Sequence, residues 1–272
     1  LLVPRLGEYQ GGEPQPGSRK RLIAGVLATV GLFAVQDGAL RPPAIGLVEV
    51  VVGIVVLVLS VRRLMPVGAL RMKRGLPTST MMRGFLSAAY FSAEVFVPLA
   101  LVETRGLSTT AAGLALAASA VLWSAGSYVQ SRLPGDHDRS RPVRLGAVVV
   151  MIGLVTLPLA LVDALPPWIA AASWAVGAFG MGLAIPSIAV QVMRLSPRED
   201  QGANSASIQI IDSVGVVVAT AALGFGYAAA TRAGDVGATT YTALWLVAAA
   251  IAGAAAVFAG RMRVPRSAVA HG

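Results

Sequence analysis

The sequence contains no cysteine, which excludes a disulfide framework and any thiolate metal site. Histidine is nearly as scarce. His137 lies in a polar stretch between two apolar runs and His271 sits next to the last residue, so no histidine ligand set and no Ser–His pair can be drawn within the apolar segments. The phosphate-cradling pattern G-x-x-x-x-G-K-[ST] is also missing. Neither enzymatic activity, nor a metal, nor a cofactor is expected. No secretory signal peptide is visible. The opening "LLVPRL" reads as the last turns of an apolar helix breaking at Pro4, so the chain is expected to be the C-terminal part of a longer protein.

Charge is the most informative scarcity. Only 13% of residues are charged while 56% are hydrophobic, and the mean hydropathy is +0.72; a soluble domain carries about 25% charged residues. The composition therefore dictates an all-α integral membrane protein. Runs long enough to cross a hydrocarbon core about 30 Å thick, at 1.5 Å per helical residue, fall at 21–38, 44–61, 81–102, 109–131, 144–163, 167–191, 203–229 and 239–260. This gives about eight transmembrane helices. Residues 1–20 are read as a helix end plus linker, 21–62 as two helices, 63–80 as a basic linker, 81–262 as a six-helix bundle and 263–272 as a tail.

Net charge is +9, a value that raises the question of nucleic-acid binding. The distribution answers it. Nineteen of the Lys and Arg residues lie at the N-terminal segment, in alternate loops and in the tail, leaving only Arg41, Arg105 and Arg232 on the other side. That is the asymmetry that membrane insertion imposes, and no aromatic residues interleave the basic loops as base stacking requires. Both ends are expected to be cytoplasmic in a multi-pass cell-membrane protein, with the basic loops against anionic lipid headgroups. Arginine far outnumbers lysine amid much Ala, Gly and Val, a composition that fits a GC-rich bacterial genome. Trp168 and Tyr241, at span starts, are expected at the headgroup boundary, while Trp123 and Trp174 lie deeper, either lining a pathway or simply packing.

Polar residues recur at helical spacing inside several spans. Arg83, Ser87, Tyr90, Glu94 and Pro98 share one stripe; Ser119, Trp123, Ser127 and Gln130 another; Ser173, Gly177, Gly180, Ala184, Ser187 and Gln191 a third; Ser205, Gln209, Asp212 and Val216 a fourth. The glycines among them are expected to serve close helix packing. An ionised carboxylate at mid-bilayer costs at least about 2.5 kcal/mol, so Glu94 and Asp212 should face the bundle interior or a wet cavity. Arg83 lies eleven residues from Glu94, about 16 Å along the axis, and Pro98 cannot donate the backbone bond that the Glu94 carbonyl would receive. Glu94 is therefore a candidate proton-coupling group or counter-ion, the alternative being a structural tie between helices. Asp212 follows the same logic, with Gln209 and Ser205 as neighbours able to satisfy it. Ser87, Tyr90, Trp123, Ser127, Gln191 and Gln209 are candidate cavity-lining residues. Glu49 is read as a helix–helix hydrogen bond, and Asp37 and Glu103, at span ends, as solvated.

Two longer stretches carry a resemblance. "AYFSAEVFVPLALVETRGLSTTAAGLALAASAVLWSAGSYVQSR" resembles the seventh and eighth helices of bacterial major facilitator superfamily transporters, and "GAFGMGLAIPSIAVQVMRLSPREDQGANSASIQIIDSVGVVVATAALG" resembles their tenth and eleventh. Six spans then match the superfamily's C-terminal half, and the two before them resemble the extra central helices of its fourteen-helix drug:proton antiporter branch. The segment "GSYVQSRLPGDHDRSRPVRLG" sits where the superfamily's second G-x-x-x-D-R-x-G-R-R gating loop belongs, with Gly126 at the first position and Gln130 in place of the acidic residue. The resemblance makes Arg132, Arg139 and Arg141 gating-loop candidates.

What the resemblance implies is a proton-coupled secondary transporter, more an exporter of amphipathic or cationic small molecules than an importer. Its partners would be a small-molecule substrate, protons, the bilayer and the missing N-terminal half. Transport of a metabolite such as a sugar or amino acid, and a non-transporting scaffold or sensor, are the alternatives; the few intramembrane hydrogen-bonding groups disfavour a heavily hydroxylated substrate.

Overall fold

A computed structural model describes residues 18–41, 43–117, 119–134 and 138–263. The proposed helix end within residues 1–6, His137, and the tail beyond residue 263 lie outside the described residues. Every regular element among those described is helical. The α-helices are α1 (Ser18–Leu40), α2 (Pro43–Leu64), α3 (Leu76–Glu94), α4 (Phe96–Arg105), α5 (Thr109–Ala117), α6 (Ser119–Ser131), α7 (Ser140–Thr156), α8 (Ile169–Leu195), α9 (Gln201–Ala233) and α10 (Ala238–Phe258). Seven helical stretches among them are long and apolar enough to span a membrane, and the apolar part of α1, Leu22–Gly38, is somewhat shorter.

The expected single helix over 81–102 is instead two, α3 and α4, in one stretch from Leu76 to Arg105. Pro98 accounts for the break, because its missing N–H interrupts the ladder at the Glu94 carbonyl. Val95 keeps right-handed helical angles, φ −56° and ψ −35°, so the chain continues along nearly the same course. Pro186 has a milder effect. The helix α8 runs through it unbroken, and the hydroxyl of Ser127 on α6 donates to the orphaned Gly182 carbonyl at 3.3 Å, supplying from a neighbour the bond that proline removes. Both lost backbone bonds have one chemical cause and differ in what fills the gap.

The main core gathers α3, α4, α7, α8 and α10 around Leu86, Trp174, Met181, Tyr241 and Trp245, all fully buried or nearly so. Glycines set the closest approaches. A Cβ on Gly182 would collide with the Trp123 carbonyl of α6, and one on Gly126 with the Phe179 carbonyl of α8. Between α7 and α8, a Cβ on Gly180 would fall 2.8 Å from the Val150 nitrogen. The pair Gly84 and Gly215 brings α3 against α9, where a Cβ on Gly84 would lie 2.9 Å from the Ile211 carbonyl. Side chains this small let dispersion contacts form between backbones where no hydrophobic force drives helices together.

The hairpin α1–α2 has its own contact layer, Ala28, Leu57, Val61, Met65 and Ala69, completed by Ile211 of α9. Its outer faces present Leu22, Val26, Phe33, Leu47, Val52 and Leu59 to the surroundings. Such an apolar surface is a liability in water and ordinary in lipid.

Candidate functional site

Glu94 ends α3 where the backbone ladder is interrupted. Its carboxyl is half-buried and makes no hydrogen bond or ion pair with any described residue. It lies eighteen residues into the thirty-residue stretch Leu76–Arg105, well inside the apolar span. One turn towards the start of α3, Tyr90 is 2% exposed and stacks on Trp174 of α8 with ring centroids 4.0 Å apart and planes at 21°. Trp123 of α6 meets Tyr90 edge-on at 6.0 Å and lies 6.1 Å from Phe91. Gly177 leaves room for this stack, since a Cβ there would sit 3.1 Å from the Tyr90 ring. An unpaired carboxyl thus lies one turn from a cluster of four aromatic rings drawn from three spans. Aromatic faces attract cations; Tyr90 and Trp174 cover each other and are almost wholly buried, so the ring surface left near the carboxyl belongs to the partly buried Phe91 and Trp123.

Asp212 is placed very differently. Arg83 of α3 approaches its Oδ1 at 2.6 Å, and the buried Ser87 hydroxyl donates to the same oxygen. This corrects the expectation that Gln209 and Ser205 satisfy it: both are exposed, and Ser205 contacts the Met193 sulfur at 3.7 Å. The reason is where the two helices meet. The close approach of Gly84 to Ile211 and Gly215 brings α3 alongside Asp212, whereas Gln209 and Ser205, three and seven residues earlier on α9, stay exposed. Arg83, Ser87 and Tyr90, read from sequence as one stripe, therefore serve two neighbours: the first two meet α9 and the third meets α6 and α8.

The remaining candidates are also held by specific partners. Gln191 is buried and donates to the Met262 carbonyl at 3.3 Å, tying α8 to the end of the last helix. Arg139, 5% exposed, donates to the Gln130 side chain at 3.1 Å and to the backbone carbonyls of Gln130, Leu133 and Pro134 at 3.2–3.4 Å. It thereby closes the C-terminus of α6, where unpaired carbonyls favour a cation. Gln130, which also receives the Ser187 hydroxyl at 3.3 Å, supplies a neutral oxygen where the resembling motif has a carboxylate. Arg132 instead folds onto Tyr128, donating to its hydroxyl at 2.6 Å. Arg141 is exposed and lies 3.8 Å from Asp138, whose stronger ionic partner is Arg263 at 2.8 Å. Partial burial opposes ionisation of Asp138, but hydrogen bonds from the Ser140 hydroxyl and N–H and the two arginines outweigh it and hold its pKa below the usual aspartate value.

The expectations for Asp37, Glu49 and Tyr241 change. Asp37 is not free in solvent: Arg41 lies 2.6 Å from it and 3.0 Å from Glu49, so the loop cation between α1 and α2 bridges both carboxylates, and Glu49 has a charged partner rather than a helix–helix hydrogen bond. Glu103 stays exposed, as expected, and also accepts from Tyr227 at 3.0 Å and from the Tyr241 hydroxyl. Tyr241 consequently points inward with no exposed surface, whereas Trp168 stays 66% exposed, as a boundary residue should.

A search of curated proteins finds no match. The family model described as Major Facilitator Superfamily matches residues 21–220, from α1 to the second half of α9 and including Glu94, the aromatic cluster, the Arg139 loop and Asp212. Members of that family are secondary transporters rather than enzymes, in keeping with an assembly of apolar helices carrying a few interior polar groups. The chain belongs to the Major Facilitator Superfamily.

Proposed function

We propose that the chain serves proton-coupled export of amphipathic or cationic small molecules by alternating access, with Glu94 as the group that exchanges proton for substrate. The observation that carries this reading is the half-buried Glu94 carboxyl without a partner among the described residues, one turn from the Tyr90–Trp174–Trp123–Phe91 cluster. A carboxyl inside a membrane span is costly to keep charged. It relieves that cost by taking a proton or by neutralising a bound cation, and cannot do both at once. Competition of this kind is the minimum needed to exchange one for the other.

In this reading the six spans from α3 to α10 form one rocking half, a companion half faces the Glu94 cluster, and α1–α2 are the extra pair of the fourteen-helix drug:proton antiporter branch. Trp123 provides the aromatic wall, backed by the buried Tyr90, and the Asp212–Arg83–Ser87 tie holds α3 against α9 at the basic end. The basic loops face the cytoplasm of a bacterial cell. The test is Glu94→Gln in the full-length transporter, reconstituted in vesicles with an imposed pH gradient. Gradient-driven movement of a lipophilic cation should fall at least about a hundredfold, and Glu94→Asp should restore part of it. Undiminished movement in the Gln variant would remove Glu94 from the mechanism.

A further inference from the structure

Two concavities meet at the junction of the hairpin and the bundle. The first, of about 490 Å³, lies at the basic end and is lined by Arg62 of α2, by Arg71 and Lys73 of the following turn, and by Met65, Pro66 and Val67. The second, also about 490 Å³, descends between α2, α3 and α9 and has no polar lining: Ile54, Leu57, Phe85, Ile211 and Val218 are among its walls. Val58 and Leu70 border both, so the two form one continuous site with a cationic head and an apolar slot. Val58, Leu70 and Val218 are 41–51% exposed, which leaves the slot open sideways to the surroundings of the helices.

The head is built by the local backbone. Gly68, at φ +92°, accepts the N–H of Arg71 and of Lys73, each at 3.1 Å. A Cβ at position 68 would strike the aliphatic stem of Lys73, so glycine is what allows Lys73 to fold back over the turn beside Arg71. Arg62, Arg71 and Lys73 are exposed and have no acidic partner among the described residues. Other cations do have one, as Arg41, Arg83 and Arg263 show. Three unneutralised cations about one pocket, at the depth where span gives way to basic loop, call for an anion; a wholly apolar slot beneath them calls for hydrocarbon.

We propose that this site holds one anionic phospholipid of the leaflet facing the basic loops. Its phosphate engages Arg62, Arg71 and Lys73, and one acyl chain fills the slot between α2 and the α3–α9 pair. The lipid would complete the seam between hairpin and bundle, which protein atoms close only in part through the Ile211 layer and the Ser207 hydroxyl, a donor to the Leu64 carbonyl at 2.6 Å. Headgroup charge and chain burial act together, so neither a soluble phosphate nor a zwitterionic lipid should substitute.

The full chain, purified and placed in nanodiscs of phosphatidylcholine with one-fifth phosphatidylglycerol, is released into the gas phase and its retained lipids are weighed by mass spectrometry. The wild type should keep one phosphatidylglycerol in preference to phosphatidylcholine. Neutralising the head with Arg62→Gln, Arg71→Gln and Lys73→Gln should reduce that preference by at least about tenfold, since each basic side chain near the surface contributes on the order of 1 kcal/mol. Filling the slot with Val218→Trp should lower retention while leaving the head intact, and Arg232→Gln at the opposite end should change nothing. Both site variants are checked for wild-type thermal unfolding in phosphatidylcholine alone. Equal preference in wild type and the triple variant, or displacement of the lipid by glycerol phosphate, would overturn the proposal.

Discussion

Two acidic residues inside the spans, Glu94 and Asp212, have the same functional group and live under opposite conditions. Asp212 sits near the basic end with a guanidinium at 2.6 Å and a buried hydroxyl on the same oxygen. Glu94 sits beyond the middle of its span, at a gap in the helix ladder, with aromatic rings for neighbours and no partner among the described residues. The first arrangement satisfies a charge and ties two helices. The second leaves a carboxyl without a protein partner among the described residues, the basis of the proposed proton exchange. Burial alone does not separate these roles, since both residues are half-buried; the partner does.

The comparison breaks first if the helices that frame it are pushed apart. Gly182→Leu places a side chain into the Trp123 carbonyl and should destabilise the protein by about 3 kcal/mol through overpacking, or prevent accumulation altogether; thermal unfolding in detergent reads this. Next in size, Asp212→Asn strips the charged partner from Arg83, 17% exposed at its side chain. A loss of about 2 kcal/mol is expected, as for a hydrogen bond to a charged group. Combining it with Arg83→Gln should cost less than the two changes separately, by about 1 kcal/mol in a double-mutant cycle; strict additivity would mean that the ion pair does not tie α3 to α9. Glu94→Gln removes no contact and should leave stability within about 0.5 kcal/mol of wild type. A large loss there would assign Glu94 a structural partner and erase the contrast.

The smallest effect concerns a carboxylate outside the spans. Asp138 ionises more readily in the folded state than in the unfolded chain. Its contribution to stability is therefore present in full above the unfolded aspartate pKa and is lost as pH falls through the lower folded value. Asp138→Asn should flatten the acid side of the unfolding-versus-pH curve slightly and leave it unchanged near neutrality.

Much of the architecture was legible in the sequence because a bilayer leaves few solutions. Apolar runs fixed where helices lie, and Pro98 marked the place where α3 yields to α4. The partner of Asp212 was not legible, although Arg83 and Ser87 were already on the stripe that meets it. Which face of α9 turns to α3 depends on the contact of Gly84 with Ile211 and Gly215, between residues more than 120 positions apart. Distance along the chain also hid the hold of Tyr227 and Tyr241 on Glu103, a carboxylate that is exposed as expected. Trp174 was visible as a deep tryptophan, but its stacking on Tyr90 required the crossing of α3 and α8. The Gln130 substitution looked like a gap in the gating-loop pattern, and the fold shows Arg139 using that neutral oxygen together with three carbonyls at the end of α6.

The most direct test of the contrast takes Glu94→Gln and Asp212→Asn side by side in the reconstituted transporter, measuring in the same preparations the proton flux evoked by a lipophilic cation and the unfolding temperature. Glu94→Gln should abolish the flux and unfold like wild type, while Asp212→Asn should unfold at a lower temperature. Wild-type flux from the Glu94→Gln vesicles would contradict the assignment of the unpaired carboxyl to coupling.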